Sequence, residues 1–98
     1  MGAAAVIPGA ARPRLAPKAR VRFDRHTERY LLLYPERGLE LNPTAASIVQ
    51  LCTGEHTVGE IVGLLAEKYP AQPRAAIEGE TQEFLTALAE RGLLRYEA

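Results

Sequence analysis

Residues 29–43 read RYLLLYPERGLELNP, a strand, a turn, a second strand and a helix start in succession. Five consecutive apolar or aromatic residues, Tyr30, Leu31, Leu32, Leu33 and Tyr34, suit a strand with apolar neighbours on both faces, so Arg29–Tyr34 is predicted to be central in a small sheet. Pro35, Glu36, Arg37 and Gly38 read as a four-residue hairpin loop, with Pro fixing φ early and Gly accepting positive φ at the end. The chain returns as Leu39, Glu40 and Leu41. Asn42 then caps free N–H groups, and Pro43 at the first helical position loses no bond.

Upstream, Arg20–Asp24 alternates Val21 and Phe23 with Arg20, Arg22 and Asp24, the pattern of a half-exposed strand preceding the central one. Downstream, Ala45, Ile48, Val49 and Cys52 form the apolar stripe of a first helix that stops at Gly54. Thr57 and Glu60 make a capping box for a second helix carrying Val58, Ile61, Val62, Leu65 and Tyr69, which Pro70 and Pro73 end. A third runs from about Arg74 to Arg91, with Ile77, Thr81, Phe84, Leu85 and Leu88 on one face and Gly92 as its stop. Leu93–Tyr96 follow as a short extended tail. The predicted class is α+β: a three-stranded antiparallel meander, then three helices, resembling a winged helix. Residues 1–17, rich in Ala, Gly and Pro, are expected to be a flexible N-terminal tail, and residues 18–98 a single domain.

With 98 residues, 47% apolar and 24% charged, the chain can bury one core and no more. Twelve basic side chains balance twelve acidic ones, so no global field steers the molecule onto nucleic acid or acidic lipid. The balance hides a division: residues 1–37 hold eight basic and three acidic side chains, residues 38–98 four and nine. One cysteine and two histidines fall short of a disulfide or a zinc site. No secretory signal and no membrane span is readable, and a cytoplasmic protein is expected.

Catalysis has little support. Ser47 lacks a nucleophile elbow, Cys52 lies on an apolar helical stripe, and the glycines match no phosphate-binding loop. The alternative is a winged-helix nucleic-acid-binding or other protein-interaction module. Its helices fail on charge, since the third sets four Glu against Arg74 and Arg91, which leaves only the basic segment, residues 12–29, for weak nonspecific nucleic-acid binding. A meander leaves its outer strands with open hydrogen-bonding edges, and the edge of Leu39–Leu41 is free to accept a peptide as an added strand.

The sequence resembles the PqqD family, peptide chaperones of pyrroloquinoline quinone (PQQ) biosynthesis and the founding type of the recognition elements for ribosomally made, modified peptides. The likeness spans roughly residues 12–96. It rests on Pro13-Arg14-Leu15-Ala16-Pro17, Val21-Arg22-Phe23-Asp24, Leu32-Leu33-Tyr34-Pro35-Glu36, Leu39 to Asn42, Cys52-Thr53-Gly54, Thr57 to Val62, and Phe84-Leu85 through Gly92-Leu93-Leu94. Two departures are Thr53, where the family would place Asp, and Glu80-Thr81, where it would place Asp-Val. The resemblance implies a noncatalytic protein without cofactor or metal that binds the precursor peptide PqqA and presents it to PqqE, a radical S-adenosylmethionine enzyme. Neither a nucleic-acid nor a membrane partner is expected, given the neutral total charge and the lack of a readable span. By the same resemblance the peptide adds beside the third strand and against the third helix, which carries over to Leu39, Glu40 and Leu41 with Thr81, Phe84, Leu85 and Leu88. Glu40, opposite Leu39 and Leu41 on the strand, reads as a guard of the edge against aggregation. Open edges make either a monomer or a strand-swapped dimer the expected state.

Overall fold

A computed structural model describes residues 7–35 and 37–96. The strands are Arg14–Leu15 (β1), Arg20–Asp24 (β2), Arg29–Tyr34 (β3), Arg37–Leu41 (β4) and Leu94–Arg95 (β5). The helices, between β4 and β5, are Pro43–Gln50 (α1), Val58–Lys68 (α2) and Arg74–Glu90 (α3). The main sheet is the expected antiparallel meander, in the order β2-β3-β4. Leu32 opposes Val21 on one side and Leu39 on the other, and this row faces the helices, with Leu32 fully buried. Leu31 and Leu33 point the opposite way and are half-buried.

The β3–β4 turn is tighter than the sequence indicates. Tyr34 pairs with Arg37 and Leu33 with Gly38, so the ladder runs further toward the turn than a four-residue loop would allow. Gly38 therefore lies in the ladder without positive φ. Its reason is close approach: a Cβ there would stand 3.1 Å from Leu33 Cδ2, so the missing side chain makes room for Leu33 on the outer face.

The helix starts follow their caps. Asn42 Oδ1 accepts from Ala45 N at 2.7 Å, Thr57 Oγ1 from Glu60 N at 3.0 Å, and Glu60 Oε1 from Thr57 N at 2.8 Å. The last bond, foremost, holds the Glu60 carboxyl below the usual glutamate range. α1 ends at Gln50, before Gly54, which takes φ +88° in the following turn. Gly92 at φ +72° turns the chain out of α3, and Leu93 N bonds back to Leu88 O at 2.9 Å. Ile48, Ile61, Leu65, Ile77, Leu85 and Leu88 fill the core between the helices and sheet. Among the described residues no helix is long and apolar enough to cross a membrane.

The expected tail needs correction over its described part, residues 7–17. Ile7, Ala11 and Pro13 are fully buried, and β1 pairs with β5 in a second, two-stranded sheet. The segment is a strap whose carbonyls do most of the bonding: Gly9 O accepts from Gly59 N, Ala11 O from Val58 N and Pro13 O from Gly54 N, at 3.0, 2.9 and 3.0 Å. Two of these donors belong to the first turn of α2, whose N–H groups have no partner within the helix. Proline lacks a donor but keeps its acceptor, so a Pro-rich segment can serve in this way. Residues 1–6 lie outside the described residues.

Cys52 is packed as the helical stripe predicts. Its Sγ donates to Ile48 O at 3.3 Å, and burial pushes the thiol up to about 12. The native protein is expected to resist thiol labelling at pH 8 and to react once denatured; fast native labelling contradicts the packing. The raised folded value also means that stability falls as pH climbs from about 9 toward 12, because the unfolded thiol ionises first. An alkaline denaturation series, compared with Cys52→Ala, checks this.

Candidate functional site

β4 has one strand neighbour among the described residues, β3, so its outer edge is unpaired. The register fixes which groups face outward. A two-residue turn is closed by a bond from the fourth residue's N–H to the first residue's C=O, which makes Tyr34 and Arg37 a bonded pair. Antiparallel alternation then bonds Leu39 to Leu32 and Leu41 to Tyr30, and turns the N–H and C=O of Gly38 and Glu40 outward. The Glu40 side chain rises on the outer sheet face, where its Oε1 stands 3.7 Å from Arg29 Nη1. Both side chains are more than half exposed, so the pair contributes little stability.

Beyond Leu41 the chain enters a cleft of about 250 Å³ between the start of α1 and one face of α3. Asn42, Thr44 and Ile48 line the α1 wall, and Glu80, Glu83, Phe84 and Ala87 the α3 wall. Phe84 is half-buried, packed against the core and open to the cleft.

The residues expected at the site divide into two groups. Leu39, Glu40 and Phe84 keep exposed surface, whereas Leu41, Thr81, Leu85 and Leu88 are core residues. Thr81 is wholly buried, with Oγ1 donating to Ile77 O at 2.7 Å. It fills a Val-shaped space and satisfies its own hydroxyl, which accounts for one departure from the family pattern. At the other departure, Thr53 Oγ1 accepts from Glu55 N at 3.2 Å, the turn-stabilising bond that an Asp carboxylate also makes. The α3 wall, of which sequence reasoning named only Phe84, has a readable signal: Glu80, Glu83, Phe84 and Ala87 recur at i, i+3, i+4 and i+7, one position before the core stripe.

A known class of fold matches this arrangement. The chain is similar to the solution NMR structure of the PqqD truncation of Methylobacterium extorquens PqqCD, a stand-alone recognition element for ribosomally synthesized and post-translationally modified peptides. The TM-score is 0.72 with 34% identity, covering 85% of this chain and 87% of the other. The family model for coenzyme PQQ synthesis protein D (PqqD) matches residues 29–94. Similar relatives include the PqqA binding proteins of Methylococcus capsulatus, 40% identical over 83% of this chain and 84% of that protein, and Bradyrhizobium diazoefficiens, 40% identical over 87% and 82%. The bifunctional coenzyme PQQ synthesis protein C/D of Methylorubrum extorquens is 37% identical over 84% of this chain, which spans 22% of that longer protein. The chain belongs to the PqqD family.

Proposed function

We propose that the chain is a noncatalytic peptide chaperone of PQQ biosynthesis, which binds the precursor PqqA as a strand added to β4 and presents it to the radical S-adenosylmethionine enzyme PqqE. The observation that carries this reading is the free β4 edge leading into the Phe84 cleft. Outward groups of Gly38 and Glu40 give a guest strand its register, and half-buried Leu39 and Phe84 give it apolar contacts. Buried Leu41, Thr81, Leu85 and Leu88 hold the strand and helix in place beneath those contacts. The function needs no cofactor, and neither nucleic acid nor membrane is a partner.

Calorimetric titration with synthetic PqqA is expected to give saturable binding, and Phe84→Ala to weaken it about tenfold, the effect of losing one partly buried aromatic contact worth about 1.4 kcal/mol. Heat no larger than that of dilution rejects the reading, and a salt-sensitive shift of duplex DNA with no peptide binding favours the winged-helix alternative. Gel filtration of the chain with PqqA and PqqE is expected to yield a ternary complex. Light scattering on the same column separates a monomer from a strand-swapped dimer.

A further inference from the structure

A second concave surface lies along another face of α1. Thr44 and Ile48 line the cleft toward α3, whereas Pro43, Ala46, Ser47 and Gln50 face the β2–β3 turn and the end of α2. The space on that second face has a volume of about 640 Å³, and Tyr30 and Leu41 supply apolar wall.

Three polar side chains meet there. Lys68 Nζ donates to Ser47 Oγ at 2.9 Å, and Ser47 Oγ lies 3.3 Å from Tyr69 Oη. Ser47 is only 8% exposed. An ammonium has three donors and no acceptor, and each hydroxyl has one donor. The two bonds within the cluster use two donors, whichever hydroxyl gives the second. Two donors on Lys68 and one on a hydroxyl are left over, and among the described residues no carboxylate stands within ion-pair distance of Lys68. The complement of such a cluster is a negatively charged oxygen acceptor.

The rim limits the charge of that acceptor. Among the described lining residues the cations are Lys68 and Arg29, Arg29 stands 3.7 Å from Glu40, and Glu28 adds a negative charge, so the net positive charge offered to a ligand is small. A single carboxylate matches this better than a phosphate dianion does. Beside the cluster, Tyr30 and Phe23 are 37% and 46% exposed and stack edge to face with centroids 5.1 Å apart. Exposed aromatic rings beside an ammonium anchored on a buried hydroxyl are the composition of an interface anchor.

We propose that this pocket docks a protein partner that presents an Asp or Glu side chain to Lys68, Ser47 and Tyr69 and seats a neighbouring apolar side chain on Tyr30 and Phe23. It uses a different face of α1 from the cleft at the end of β4, so peptide and partner protein occupy separate surfaces. The proposal does not depend on strand addition.

The test is an NMR titration of the ¹⁵N-labelled full chain with N-acetyl-Phe-Glu methylamide, its Phe-Gln counterpart and sodium acetate, at constant ionic strength. The Glu compound is expected to give saturable shifts at Tyr30, Ser47, Lys68 and Tyr69, and the Gln compound and acetate at least tenfold weaker ones. Exposed Lys68→Met should weaken the Glu compound at least tenfold, while Tyr69→Phe has a smaller effect and PqqA titrates as in the unaltered chain. Equal shifts from the Glu and Gln compounds, shifts spread evenly over the arginines, no binding, or an unchanged Lys68→Met response overturns the proposal. Acetate binding as tightly as the dipeptide would make the pocket a small-carboxylate site and also overturn protein docking.

Discussion

Glu40→Pro is expected to abolish measurable PqqA binding while the domain stays folded. The Glu40 N–H turns away from β3, so proline removes no bond within the sheet and takes away a donor that an added strand would use. The pyrrolidine ring also obstructs the guest strand, and the combined loss is expected to exceed tenfold, at least 1.4 kcal/mol. Leu39→Pro is the contrast, because that N–H bonds within the meander and its loss damages the sheet itself. The ¹⁵N spectrum of Glu40→Pro reports the fold and calorimetry reports the affinity. A folded variant with unchanged affinity removes the β4 edge from the site.

A chain beginning at Lys18 is expected to lose its cooperative thermal transition. Truncation removes buried Ile7, Ala11, Pro13 and Ala16 and exposes the core they cover. It also removes the acceptors of Gly54, Val58 and Gly59 N–H and the β1 partner of β5. Buried Ile7 contributes about 1.5–3 kcal/mol, the bonds from Gly54, Val58 and Gly59 about 0.5–1.5 kcal/mol each, the uncovered core adds to the loss, and a small domain holds only about 5–15 kcal/mol in all. Loss of the strap therefore consumes most of the margin. Circular dichroism on heating checks this, and a sharp transition within a few degrees of the full chain's would show that the strap adds little.

The elements that were legible in the sequence are those whose signals are local. The apolar run Tyr30–Tyr34, the Asn42-Pro43 start and the Thr57/Glu60 capping box each act within a few residues, and the structure has the matching strand and helices. The strap was not legible because its bonds join residues 9–13 to residues 54–59, and an Ala-, Gly- and Pro-rich segment shows no periodicity to announce them. Gly38 misled for a related reason: its role is to admit Leu33, a cross-strand relation that composition reads as a turn. At the candidate site, the resemblance carries Thr81, Phe84, Leu85 and Leu88 onto α3, and of these Phe84 alone lines the cleft. Thr81, Leu85 and Leu88 look inward for the same reason that they are apolar or Val-shaped, and the cleft falls to the mixed stripe Glu80, Glu83, Phe84 and Ala87. Periodicity identifies the face a helix buries, and the wall of the cleft lies beside that face.

The most direct measurement is the set of nuclear Overhauser contacts between unlabelled PqqA and the ¹³C,¹⁵N-labelled chain. The expected pattern is backbone contacts from the peptide to alternate residues Gly38 and Glu40, slowed exchange of those two amides, and side-chain contacts to Phe84. Saturable binding with contacts elsewhere, and with the Gly38 and Glu40 amides exchanging as fast as in the free chain, would contradict strand addition at β4.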